Sequence, residues 1–128
     1  MNEQVRKLLN GQLWFLGTFS DEPNAVPVFF KHVNEDGTLT VGDVFLGKTL
    51  KNVLANEKIS VSVCDSVTHE GYQIKGTAKY ISEGPVVEEY KETVSKFFKG
   101  AKTAKGALII TPEKIYVTTP GAENNKTL

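Results

Sequence analysis

Cysteine is nearly missing from this sequence: Cys64 is the single thiol in 128 residues. A lone thiol excludes an intramolecular disulfide framework and any multi-cysteine zinc or iron–sulfur site within one chain. Net charge is missing too, since 15 Lys and Arg balance 15 Asp and Glu. A neutral chain lacks the broad positive field of non-specific nucleic-acid binding, so nucleic acid is not an expected partner. No stretch approaches the roughly 18 apolar residues of a membrane span, and no membrane association is expected. The opening MNEQVRKLL has neither a long apolar run nor a small-residue cleavage pattern, so the expected compartment is the cytoplasm. HExxH, EF-hand, Walker A and GxGxxG patterns are absent. The two histidines, His32 and His69, are well separated, and neither has a Ser or Cys nucleophile motif nearby. They read as solvated or partner-contacting side chains, and the sequence nominates no catalytic residue and no metal site.

What is present is an average soluble composition: 40% hydrophobic, 23% charged, 9% aromatic residues in a 14.1 kDa chain. That length and balance predict one domain, residues 1–128, with a core that needs no staples. Val5, Leu8 and Leu9 recur at helical spacing before Asn10-Gly11, which predicts a short helix over 3–10. LWFLGTFS (13–20) reads as a buried strand, with Gly17 marking a bulge or a close backbone approach. After the turn Asp21-Glu22-Pro23-Asn24, AVPVFFKHV (25–33) reads as one strand apolar on both faces. Pro27 cannot donate to a ladder, so that strand belongs at an edge, at a bulge or against a ligand. Asn34-Glu35-Asp36-Gly37 predicts a hairpin turn into TLTVG (38–42).

The period then changes. Leu46, Leu50, Val53 and Leu54 fall on one helical stripe within 43–57, with Lys48 and Thr49 in the helix's opening turn. KISVSVCD (58–65) alternates with Ile59, Val61 and Val63 inward and Cys64, a free structural thiol, on the polar face. GYQIKGTAKYIS (71–82) alternates again as a long half-buried strand. Pro85 suits the first turn of a further helix, where Val87, Tyr90, Val94 and Phe97 step by three and four and Glu92 supports Lys96. GALIITPEKIYVTTP (106–120) gives a last strand or a hairpin broken at Pro112. Many short strands with few intervening helices predict a mainly β (α+β) fold: a six-stranded antiparallel barrel with flanking helices.

One local arrangement carries chemistry. Gly47-Lys48-Thr49 stands at a helix start, where unpaired N–H groups and the helix dipole favour an anion. Lys48 adds a full charge, Thr49 a hydroxyl, and Gly47 permits close backbone approach. From the triplet alone, an ordinary helix N-terminus with a surface lysine is the better reading. The preceding VPVFF…VGD hairpin adds an apolar surface on which a flat ring could rest while its phosphate reaches Lys48.

The order of these elements resembles the pyridoxamine 5′-phosphate oxidase-like, FMN-binding split-barrel superfamily. The resemblance covers roughly residues 5–120. It lies in Pro23…Pro27-Val28, the Asp36-Gly37 turn, Lys48…Asn52-Val53, the strand Asn56-Glu57-Lys58-Ile59-Ser60-Val61-Ser62-Val63, and GYQIKGTAKYISEGP. The C-terminal Thr127-Leu128 matches small bacterial FMN-binding proteins of this group. The resemblance implies a split β-barrel that forms a homodimer, with FMN held non-covalently between subunits and an unnamed redox partner or small-molecule substrate. It implies that Lys48 and Thr49 contact the phosphate, with Gly47 beside them among the cofactor-binding positions, and that Pro27 and Val28 present backbone to the flavin ring. It further implies that Val41, Gly42 and Asp43 lie beside ring and ribityl chain, and that Leu128 reaches the neighbouring subunit's flavin. Three departures stand out. Gly47 replaces a basic or hydroxyl residue, Glu57 replaces a proline, and the arginine-rich flavin contacts and substrate-phosphate residues of true pyridoxamine phosphate oxidases are missing. An FMN oxidoreductase or electron carrier is therefore expected, not vitamin B6 oxidation. The same fold with haem or deazaflavin, and a cofactor-free dimeric binding module, are the alternatives.

Overall fold

Asn2 starts the first helix: its side-chain oxygen accepts from the Val5 N–H at 2.9 Å, and α1 runs over Glu3–Gly11. Val5, Leu8 and Leu9 form its buried face, as their spacing requires. The computed structural model describes residues 1–128. The elements that follow are β1 (Trp14–Phe19), β2 (Pro23–Val28), β3 (Lys31–Val33), β4 (Leu39–Asp43), α2 (Lys48–Ala55), β5 (Lys58–Cys64), β6 (Gly71–Ile81), α3 (Pro85–Phe97) and β7 (Gly106–Val117).

All strand pairs are antiparallel, in the order β2-β1-β5-β6-β7-β4-β3. The two edge strands, β2 and β3, are joined only by Phe29 and Phe30. So short a link spans only about 10 Å. The far edges of the sheet must therefore return to one another, and the sheet curls into a split barrel. This also accounts for the strand count. The stretch expected as one strand over 25–33 breaks at Phe29–Phe30 and changes partner, from β1 to β4, so seven strands appear where six were expected. Pro27 does lie on an edge strand.

The expectation that this segment is buried on both faces is corrected. Val28 is buried and Val26 half-buried, whereas Pro23, Ala25 and Pro27 are exposed. Gly17 marks a close approach: a Cβ there would collide with the Ser60 hydroxyl of β5. Pro112 does not break the last strand. A register shift between Lys75 and Gly76 absorbs it, and a Cβ at Gly76 would strike the Thr111 carbonyl, so β7 continues to Val117 as one strand.

The barrel interior is a single apolar cluster that includes Trp14, Leu16, Leu39, Val61, Ile74 and Ile110. The Trp14 indole N–H donates to the Leu9 carbonyl at 2.8 Å, which fastens α1 to β1. The α2 stripe differs from its expected form. Leu46 and Val53 are buried and Leu50 half-buried, but Leu54 is 70% exposed. Thr49 and Asn52 point inward instead. On α3, Val87 and Val94 are buried while Phe97 is exposed. Phe97 stacks edge-on with Phe30 and Phe98 at centroid distances of 5.5 and 5.0 Å. No helix is long and apolar enough to cross a membrane.

Candidate functional site

The turn that delivers α2 is built on a buried carboxylate. Asp43, 1% exposed at the end of β4, accepts from the Leu46 N–H at 3.3 Å and from the Tyr80 hydroxyl at 2.7 Å. Burial first, and the Asp43 carboxylate second, push the Tyr80 phenol up to about 12. The Thr49 N–H then closes onto the Leu46 carbonyl at 2.8 Å, and Gly47 takes φ 47°, a conformation that side chains strain to adopt. No side chain caps this helix start, and its first turn holds no acidic residue. The N–H groups of Gly47 and Lys48 find no hydrogen-bond acceptor. Together they form the electropositive end of α2.

Three residues of the β1–β2 hairpin meet that end. Asn24 donates from its amide to the Thr49 hydroxyl at 3.0 Å. Lys48 Nζ lies 2.7 Å from Asp21 Oδ1 and 3.9 Å from Glu22 Oε1. The hydrogen bond from Lys48 holds the Asp21 carboxyl below its ordinary range, and the same contact raises the Lys48 ammonium. One turn further on, Asn52 donates to the Thr18 hydroxyl at 3.1 Å, while its own amide oxygen is buried without a partner.

The residues nominated from the sequence thus separate into groups. Gly47, Lys48 and Thr49 sit together, with Thr49 fully buried and tied to Asn24. Pro27 lies three residues along β2 from Asn24, roughly 10 Å at the rise of a strand. It is exposed beside Phe15, its partner on β1. Val28 turns inward. Val41, Gly42 and Asp43 are buried: Val41 belongs to the core, Gly42 is covered by the Tyr90 ring, and Asp43 is engaged as described. Leu128 is held against its own β7, its N–H donating to the Ile115 carbonyl at 2.8 Å. Of the histidines, His32 is exposed on β3 and His69 in the loop before β6.

Sequence reasoning missed a groove of about 980 Å³ on the outer face of the sheet. Its floor is Gly17, Ala25 and Ser60, neighbours across three strands, and Phe19, Lys75 and Tyr116 rise around it. The signal was a set of small residues, but only the strand register brings them side by side. Lys75 stands over the Tyr116 ring at 5.3 Å. Asn24 also lines the groove, which links it to the α2 end.

A seven-stranded antiparallel sheet that curls on itself, with three flanking helices, defines a split-barrel fold. The sequence pattern that defines the pyridoxamine 5′-phosphate oxidase family matches residues 1–119, and the chain belongs to that family. An uncharacterised protein of Methanocaldococcus jannaschii is 32% identical over 130 residues, covering 98% of this chain and 86% of that one. Among solved structures, HupZ of Group A Streptococcus superposes with a TM-score of 0.81 at 28% identity, covering 96% of this chain and 98% of HupZ. An FMN-binding protein of Syntrophomonas wolfei superposes with a TM-score of 0.80 at 18% identity, covering 94% and 87%, a likeness of fold.

Proposed function

We propose that this protein binds FMN non-covalently between two copies of the chain and acts as an oxidoreductase or electron carrier. The observation that carries the reading is the juxtaposition of two dissimilar surfaces. The uncapped start of α2 at Gly47-Lys48 is tied through Thr49 to Asn24, and the exposed apolar pair Pro27 and Phe15 begins three residues, roughly 10 Å, along β2 from Asn24. The residues present fit a phosphate monoester: a charged donor, two backbone donors and a helix N-terminus. When bound, FMN supplies the redox chemistry, and the chain supplies position and electrostatics. Lys48 and the Gly47 backbone orient the phosphate. Pro27 gives the ring a flat face with no N–H to satisfy. Asp43 holds the turn that carries Gly47 and is itself kept from the ligand by Tyr80. The exposed strip Phe15, Phe19, Pro23, Ala25 and Pro27 is neutral and apolar, which suits it to a second copy of the same surface.

Titration of the full-length protein with FMN and riboflavin, followed by flavin fluorescence, tests the reading. FMN is expected to bind more tightly than riboflavin, with a dimer in sedimentation. Equal affinity for the two flavins would remove Lys48 from the phosphate, and a folded monomer with flavin bound would remove the second copy. Reconstitution that yields a Soret band and no flavin uptake would favour haem, with exposed His32 or His69 as axial ligand. A protein that stays colourless and gains no stability from flavin would favour a cofactor-free binding module.

A further inference from the structure

The cation assigned to the phosphate does not stand free. Lys48 is paired at 2.7 Å with Asp21 and approached at 3.9 Å by Glu22. Neither acid belongs to α2; both come from the turn between β1 and β2. That turn is fastened to the helix at both ends. Asn24 donates to Thr49 in the first turn, and the Asn56 amide at the helix's C-terminal cap donates to the Phe19 carbonyl at 3.4 Å. The turn that carries Asp21 is therefore held beside Lys48 by contacts that do not involve Lys48, while the carboxylate itself contacts only Lys48.

A phosphate dianion arriving at Gly47-Lys48 meets two carboxylates and must take the ammonium from them. A flavin without a phosphate makes no such exchange. We propose that Asp21, supported by Glu22, is a specificity-determining residue of this site: by competing for Lys48 it narrows the preference for phosphorylated over unphosphorylated flavin. This inference rests on the FMN reading above. The Asp21 side chain is 74% exposed, so the competition is screened by water and weakens phosphate binding without abolishing it.

The test uses the full-length protein as wild type, Asp21→Asn, Glu22→Gln, Lys48→Ala and the Asp21→Asn/Lys48→Ala double variant. Dissociation constants are measured for FMN and riboflavin, with thermal melting as a check on the fold. Asp21→Asn should tighten FMN about threefold to fivefold and move riboflavin by less than about 1.5-fold, the scale of an exposed ion pair. Glu22→Gln should act in the same direction more weakly, as its longer distance requires. The gain should vanish in the double variant, because the competition acts only through Lys48. An unchanged FMN-to-riboflavin ratio in Asp21→Asn, or a gain that survives the loss of Lys48, would overturn the inference while leaving the FMN reading intact. If the wild type binds neither flavin, the FMN reading fails, and the competition is then measured with inorganic phosphate through the amide resonances of Gly47 and Lys48. About threefold tighter phosphate in Asp21→Asn supports it there; no change overturns it.

Discussion

Helices α1 and α2 begin in opposite ways. At α1, Asn2 caps the Val5 N–H and Glu3 sits in the first turn, so donors and dipole are both answered from within the helix. At α2, glycine occupies the capping position at φ 47°, no acid follows, and the first helical residue is Lys48. The compensation at α2 comes from another element, the Asp21 and Glu22 carboxylates of the β1–β2 turn. A start closed by its own side chain is finished at folding. A start whose charge is answered by a detachable outside partner can exchange that partner for a ligand.

The largest expected effect follows from this contrast. Lys48→Ala should weaken FMN about tenfold or more, because a charge-assisted contact to the phosphate is lost, with riboflavin nearly unaffected. Stability should hardly change, since the ammonium is solvated and its partners are exposed. Equal losses for both flavins would break the comparison at its centre.

Tyr80→Phe addresses the support beneath α2. Removing the hydroxyl leaves the buried Asp43 carboxylate short of one donor at 2.7 Å, a loss of about 1–3 kcal/mol in chemical denaturation. The loosened 43–47 turn should also lower FMN affinity more than riboflavin affinity. Tyr80 further sets an alkaline limit shared with Tyr72 and Tyr90, each raised to about 12 from an ordinary value near 10. A phenol whose folded value lies above its unfolded one binds its proton more tightly in the native state. Its stabilisation is whole below pH 10 and is lost as pH climbs through 12. Tyr80→Phe should therefore shallow the decline between pH 10 and 12, and an unchanged slope would exclude Tyr80 from it.

Asn2→Ala is the matching experiment on α1. Loss of the cap should cost about 1 kcal/mol and leave flavin affinity untouched. An effect on FMN comparable to that of Lys48→Ala would mean that the two helix starts are not functionally distinct.

The legible part of this molecule was whatever a local period determines. Ile59, Val61 and Val63 alternate inward on β5, Val5, Leu8 and Leu9 line α1, and Pro85 opens α3, all from spacing alone. The break at Phe29–Phe30 was not legible, because it arises when one continuous apolar run leaves β1 for β4, and that choice belongs to the closing of the barrel. On α2 the apolar count favoured Leu54, yet the inward positions go to Thr49 and Asn52, whose polar groups find Asn24 and Thr18 on other strands. Lys48 could be singled out because helix starts announce themselves in sequence. Its partner Asp21 stands 27 residues earlier, and nothing local connects them. The outer groove at Gly17, Ala25 and Ser60 was hidden for the same reason.

The smallest expected effect distinguishes the two helix starts by acid. The hydrogen bond from Lys48 lowers the Asp21 carboxyl below its ordinary value, so the pair's support for α2 is complete above that value and is lost as pH falls through the lower, folded one. The cap of α1 is an amide and does not titrate. Thr38 lowers Asp36 as well, through its hydroxyl and N–H, in a β3–β4 turn that packs beside Met1 and Asn2, so the comparison is made in Asp36→Asn, which leaves the Asn2 cap in place. Amide exchange, corrected for intrinsic rates and followed downward from pH 5, should therefore show the first turn of α2 opening before that of α1. Because Asp21 is solvated, the difference should be small and should shrink further as salt screens the pair. Parallel opening of the two starts, or a difference that salt does not reduce, would show that α2 is held by its packing on the barrel and not by the carboxylates that answer Lys48.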